Sequence, residues 1–431
     1  MIKEILNEKM VVKHLDNGLD LILVPKKGAI KKYAVYATHF GSINNKFVVP
    51  GTSDIVEVPD GVAHFLEHKL FEEEDGVNAL DKLSKLGANA NAYTSFNHTA
   101  YLFEGTENFE KCLDVLINFV QKPYLTEENV EKEKGIIGQE IKMYDDDPEW
   151  QLFFNFLNCL YKDHALTKDI AGTVESISEI TPEILYKCYN TFYDPSNMVI
   201  CIVGDFDVDK ISKFVEERVR KTDEKSKIKR FYGEISSELN QRYIEKKMDV
   251  SIPMFILGFR DDTVNGANDS GYDVDNKKLV DKHVAIEIAF EMLLGKSTRF
   301  FEELYNEGLV KKEFGTDYTF EEDYAYSSIS GESNDVEKVV ERIKEEITKM
   351  KKDGLDEQEF NRIKKMLYGE YVFLFNDVSK IASVITSDYF KGVNSFDYVD
   401  SYKNIKKEYV EQVIREHFDE NKMAVSVVKP L

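Results

Sequence analysis

Gly61-Val-Ala-His64-Phe-Leu-Glu67-His68-Lys-Leu-Phe71 sets two histidines four residues apart, with a glutamate directly before the second. An α-helix turns about 100° per residue, so His64, Glu67 and His68 fall on one face within about a third of a turn. Two imidazoles one turn apart can grip a single ion through the short bonds that zinc makes to nitrogen. The glutamate between them can reach a water on that ion. The alternative is a half-buried helix that carries two histidines by chance. The chain has 8 histidines in 431 residues, and chance assembly of the pattern comes to roughly one or two in a hundred. The stretch reads as a metal site.

A catalytic zinc site uses three protein ligands and leaves the fourth position to water. The best source of a third lies downstream, in Glu128-Asn-Val-Glu131-Lys-Glu133-Lys-Gly135-Ile-Ile-Gly138-Gln-Glu140. Glu133 and Glu140 are seven residues, two helical turns, apart and point the same way. Most acidic residues of such a segment form a solvated face. The apolar, small-residue stretch from Gly135 to Gly138 predicts that this side of the helix is buried.

Further pieces follow in order: Gly87-Ala-Asn-Ala-Asn91-Ala92-Tyr93-Thr94, then Glu133 and Glu140, then Phe192-Tyr-Asp-Pro-Ser-Asn197-Met198 leading into a strand. With the His-x-x-Glu-His stretch, this set resembles the insulinase/pitrilysin/mitochondrial-processing-peptidase family of inverted-motif zinc metallopeptidases, its short bacterial members above all. The likeness runs over nearly the whole chain. It implies one zinc per chain, held by His64, His68 and Glu140, with Glu133 supporting the site. It makes Glu67 the general base of peptide-bond hydrolysis. Asn91, Ala92 and Tyr93 would lie on an edge strand that pairs with a peptide substrate, and Phe71 would shape the pocket past the scissile bond. Family members close two halves into a chamber that admits unfolded peptides, or a specific precursor.

One segment departs from the family. Active members carry Leu-Arg-x-x-x-Gly-Leu-x-Tyr in the second half, whose arginine and tyrosine reach the substrate. Here the stretch is Leu304-Tyr305-Asn306-Glu307-Gly308-Leu309-Val310-Lys311. Tyr305 replaces the arginine and Lys311 the tyrosine, in a segment one residue shorter. A dimer is therefore expected, either with a zinc-less homologue that supplies the missing pair or as a homodimer in which Lys311 or another residue substitutes for it. The alternative is a peptide-binding or scaffold subunit with little activity alone.

Hydrophobic content of 42% with 31% charged residues is that of an ordinary globular protein. The net charge of −23 argues against nucleic acid and anionic membrane as partners. No apolar run approaches the 18 or so residues that a membrane span needs, and the N-terminus lacks the pattern of a signal peptide. Cys112, Cys159, Cys188 and Cys201 are scattered in apolar settings and read as reduced, buried thiols of a cytoplasmic protein.

Asn17-Gly18 between two strand-like runs predicts a hairpin, followed by a strand from Lys32. His14 and His39 fall in these strands and read as structural, while His98 reads as a surface polar residue. Helical patterns cover 107–121, 126–145, 149–161 and 181–192. The second half repeats the plan: Phe418-Asp-Glu-Asn-Lys-Met423 echoes Phe192 to Met198, and Leu304 to Gly308 echoes Leu83 to Gly87. The corresponding second-half helix, from Val284 to Leu294, has no His-x-x-Glu-His. The fold class is α+β: two homologous α/β-sandwich halves, each a mostly antiparallel sheet covered by helices. The expected limits are 1–225 for the metal-bearing half, 226–241 for a linker and 242–431 for the metal-free half.

Overall fold

A computed structural model of the chain describes residues 2–5, 8–222, 228–233, 235–262, 276–311 and 314–431. The first of two compact units comprises Met1–Ile141, Lys168–Tyr232 and Leu374–Phe390; the second comprises Lys142–Thr167, Gly233–Phe373 and Lys391–Leu431.

The first unit holds a seven-stranded sheet in the order Ile2–Ile5, Glu8–His14, Asp20–Pro25, Met198–Gly204, Lys32–Thr38, Thr99–Gly105, Asn89–Thr94. Only Asp20–Pro25 and Met198–Gly204 run parallel; all other neighbours are antiparallel. The predicted hairpin forms, with Gly18 at a φ of 84° that suits glycine. Every residue of Met198–Gly204, and Lys32–Thr38 from Tyr33 onward, is buried, so both faces of the sheet centre are covered. Asn89–Thr94 forms one edge.

The second unit has a five-stranded sheet in the order Tyr243–Met248, Met423–Pro430, Met254–Arg260, Ala325–Glu332, Phe314–Phe320, with only the first pair parallel. Without its first two strands, the larger sheet has the same order and the same senses. The duplication extends to helix ends. Ala79–Lys85 closes with an Ala88 N–H donating to Leu83 O and Gly87 at φ 85°. Arg299–Asn306 closes with a Leu309 N–H donating to Leu304 O and Gly308 at φ 70°. Both are glycine stops of one kind, each followed by the edge strand of its sheet.

The expected contiguous halves are corrected in one respect. Helix Val378–Phe390, from the second half of the sequence, belongs to the first unit and packs on Met198–Gly204 and Lys32–Thr38. Helix Pro148–Leu160, from the first half, belongs to the second unit and packs on its sheet. Gly258 marks that contact: a Cβ there would lie 2.4 Å from the Phe156 ring. Each helix has an apolar face that needs a sheet, and nothing in that face specifies which copy.

The stretch 226–241 is no free linker where it is described. Phe231 N–H donates to Lys46 O and Val48 N–H to Lys229 O, both at 2.9 Å, within the first unit. Within the second, the buried Arg260 guanidinium donates to the carbonyls of Ser237 and Glu238 at 3.0 Å each. Residues 223–227 and 234 lie outside the described residues. No described helix is long and apolar enough to cross a membrane.

Candidate metal centre and active site

The helix that carries the motif runs from Val62 to Leu70. It begins where Gly61, at φ 90°, touches the backbone of residues 171–172; a Cβ on Gly61 would lie 2.3 Å from Ala171 O. Only glycine permits both the left-handed backbone and the close approach. Asp60 holds the same corner, with Asn45 donating to its side chain at 2.9 Å and the Ser176 hydroxyl donating to its carbonyl at 2.8 Å. Val62, Ala63, Phe65, Leu66 and Leu70 bury the remaining faces, so the motif residues have one direction in which to point.

There they meet helix Glu127–Asp145. Within the first unit, His64 Nε2 lies 3.8 Å from Glu140 Oε1, and His68 Nε2 lies 3.5 Å from Glu140 Oε2. One ligand atom from each of the three residues can be chosen so that all lie within 4.8 Å of one another, the sole such His/Cys/Asp/Glu group among the described residues. Ligand atoms at zinc's bond lengths around a tetrahedral ion stand roughly 3.4 Å apart, so the trio fits such an ion. His64 Nδ1 is buried and has no hydrogen-bond partner among the described residues; His64 is directed by packing alone. His68 is directed by Glu133, whose Oε1 lies 3.1 Å from His68 Nδ1.

Glu133 is buried and has a second partner, the fully buried Lys69, at 3.4 Å. Lys69 also pairs with Glu72 at 2.7 Å. The lysine therefore balances a carboxylate that would be costly to bury alone. Glu67 is buried too, and its Oε2 accepts a 2.6 Å hydrogen bond from the Thr94 hydroxyl.

Burial shapes the electrostatics. It lowers the His64 pKa to about 4, with help from the neighbouring His68 and against Glu140 and Glu133. For His68, burial acts downward, but the Glu133 hydrogen bond and the surrounding carboxylates raise it above the ordinary histidine value. Burial raises Glu67, which Thr94 and His68 partly offset. Burial would raise Glu133 as well, but His68 and Lys69 hold it below the usual range. His64 is thus neutral at pH 7, the form in which an imidazole can take a metal.

Asn91, Ala92 and Tyr93 lie on the edge strand Asn89–Thr94. Ser95 N–H donates to His98 O at the hairpin end, and Ala92 N–H is taken by the Asn91 side chain at 2.9 Å. By antiparallel alternation, Asn91 and Tyr93 face the neighbouring strand, while Ala92 and Thr94 turn their backbone groups to the open edge. The Tyr93 hydroxyl meets His98 Nε2 at 3.1 Å. His98 is only 5% exposed and stacks on Phe390, which corrects its reading as a surface residue. Phe71 is buried, packed on Tyr101 and Phe119 with ring centroids 5.8 and 5.3 Å away. Gly135 and Ile136 are exposed, whereas Ile137 and Gly138 are buried, so only part of that predicted stripe faces inward. Lys69 was overlooked, although its position on a helix apolar on its other faces was a signal that it is buried. Thr94 left no comparable sign, since its contact with Glu67 depends on where the sheet edge lies.

In the second unit, Lys311 pairs with Glu332 at 2.9 Å and Tyr305 is half exposed beside Phe301. Helix Asn276–Leu294 carries His283 and Glu287 one turn apart, tied to Tyr398 and Tyr402 respectively.

Residues 54–174 match the model of the family described as Insulinase (Peptidase family M16), and residues 179–367 match that of the Peptidase M16 inactive domain. An uncharacterised zinc protease of Bacillus subtilis, YmfH, is 40% identical over 99% of this chain and 98% of its own length. A second from the same organism, YmxG, is 25% identical over 74% of this chain and 76% of its own. Among solved structures, an M16-like peptidase from Alicyclobacillus acidocaldarius has a TM-score of 0.92 at 33% identity, covering 99% of both chains. A protease from Helicobacter pylori shares the fold, with a TM-score of 0.80 at 20% identity over 98% of this chain and all of the other. The described residues place His64, His68 and Glu140 together in a chain so matched over its whole length, and the chain belongs to the insulinase family, peptidase family M16.

Proposed function

We propose that the chain is a zinc-dependent endopeptidase, with one zinc held by His64, His68 and Glu140 and with Glu67 as general base. The observation that carries the reading is the convergence of those three ligand atoms within 4.8 Å, beside a carboxylate on the same helical face. Zinc there would supply Lewis acidity and bring the pKa of a water toward neutrality. Glu67 takes the proton from the attacking water and delivers it to the leaving amine. Glu133 holds the His68 ring by its Nδ1 and fixes the tautomer that offers Nε2. The outward backbone groups of Ala92 and Thr94 receive the substrate as an added strand, with the peptide replacing Asn91 Oδ1 at the Ala92 N–H, so affinity tolerates sequence and the peptide must be extended. Four buried, unpaired cysteines support a cytoplasmic setting.

Metal analysis of single variants tests the assignment. Glu67→Gln is expected to keep about one zinc per chain and to lose peptidase activity. His64→Ala, His68→Ala and Glu140→Gln are expected to lose metal, and Glu133→Gln to weaken it about ten- to a hundredfold. Full zinc occupancy in either histidine variant would overturn it.

A second reading rests on Tyr305 and on Lys311, whose ammonium is engaged by Glu332. Neither supplies the forked cation of an arginine. On that reading the chain is one subunit of a dimer with a zinc-less homologue, and serves alone mainly to bind peptide. Mixing it with such a relative should raise activity by about 10²–10³, the usual worth of one lost oxyanion donor. Full activity of the isolated chain would exclude the pairing.

A further inference from the structure

We infer that Thr94 is the positioning residue of Glu67: its hydroxyl, at the end of the edge strand, fixes one carboxylate oxygen and leaves the other as the proton acceptor. The inference rests on the role proposed for Glu67. A threonine hydroxyl has one proton and an ionised carboxylate only accepts, so the 2.6 Å contact directs that proton to Glu67 Oε2. The other hydroxyl in reach does not compete. Thr99 Oγ1 is 3.3 Å from Thr94 Oγ1, but it donates to Phe40 O at 2.8 Å from a fully buried position. Thr94 and Thr99 stand opposite each other in the register of the two strands, so the hydroxyl is carried by paired backbone and not by a mobile loop.

Two consequences follow for the base. A glutamate side chain has several torsions to fix, and a strong hydrogen bond on one oxygen fixes them about that point. The same bond opposes the desolvation that burial imposes on the carboxylate. The base is thereby tied to the strand whose neighbouring backbone groups face the open edge. Thr94 acts on the rate through Glu67, while its side chain makes no claim on peptide affinity or on the metal.

The test compares Thr94→Val, which keeps shape and strand propensity, with Thr94→Ser, which keeps the hydroxyl. Thr94→Val is expected to lower kcat by about ten- to a hundredfold, with KM and the zinc affinity measured by chelator competition unchanged. Thr94→Ser should recover most of the loss. An unchanged kcat, a loss that follows zinc affinity, or failure of serine to rescue would each overturn the inference. A crystal structure of Thr94→Val decides it independently of any activity: Glu67 held in the same rotamer would refute the positioning role. Absence of zinc and of peptidase activity in the unaltered chain would count against the proposed function instead.

Discussion

Gly61 shows how a single residue sets the proposed metal site. The motif helix must begin at a fixed height against residues 171–172, and the contact is backbone to backbone. Gly61→Ala adds a left-handed strain and a 2.3 Å clash, each worth about 1–3 kcal/mol. The expected outcome is a destabilisation of roughly 2–4 kcal/mol in denaturant unfolding, together with weaker zinc binding as the helix shifts. A variant as stable as the parent would mean that the corner yields easily. At this scale the sequence was informative where chemistry is local. His64, Glu67 and His68 could be placed on one face from spacing alone, and the burial of Lys69 was there to be read. The partnership of Glu140 with them was not readable from periodicity, because six acidic residues of its helix share the same composition signal; the resemblance singled it out. Thr94 and His98 were missed for another reason. Glu67, the partner of Thr94, lies on a helix 27 residues away, and Phe390, which covers His98, comes from a helix far away in sequence.

Among the elements, the proposed function asks most of the edge strand Asn89–Thr94 for its length. Spacing indicated strand-like segments around residues 89–103, and the edge position came from resemblance. Which residues turn their backbone outward required the register with Thr99–Gly105. The pairing of Ser95 with His98 and the capture of Ala92 N–H by Asn91 settle it. Proline at Ala92 removes an outward donor and leaves the ladder with the neighbouring strand intact. Ala92→Pro is therefore expected to lower kcat/KM toward extended peptides by about tenfold, the worth of a hydrogen bond or so, with zinc content and thermal stability retained. Tyr93→Pro, by contrast, should damage the fold, because Tyr93 donates inward. Equal kinetics for Ala92→Pro and the parent would place the substrate path elsewhere. Helix boundaries were legible to within a residue or two over Phe109–Val120, Glu127–Asp145, Pro148–Leu160 and Pro182–Phe192, where strong caps such as Asp147 and Thr181 coincide with apolar periodicity.

On the scale of the whole molecule, the duplication was legible and the exchange of helices was not. The echo of Phe192–Met198 in Phe418–Met423 places Met198–Gly204 and Met423–Pro430 at equivalent points of two sheets with the same strand order. An amphipathic helix, however, states only that it has an apolar face. Val378–Phe390 buries Val378, Ile381, Ala382, Ile385 and Phe390 within a unit whose sheet takes its last strand from Met198–Gly204. A fragment cut after Tyr232 would contain the entire metal motif and the complete seven-stranded sheet, and by sequence order it would look like a self-sufficient half. It would lack the cover over Met198–Gly204 and Lys32–Thr38. Phe390 would also be gone from beside His39 and His98, and with it the support behind Tyr93. Leaving the Val378–Phe390 face of the sheet in water forfeits roughly 1.5–3 kcal/mol for each large side chain that helix buries, against a total stability of about 5–15 kcal/mol for a typical domain. Residues 1–232 alone are thus expected to lack cooperative unfolding and to bind zinc poorly. The same fragment with residues 374–390 joined through a flexible linker should recover both. A cooperative transition and full zinc affinity in the simple fragment would show that the exchanged helix is dispensable to the metal centre.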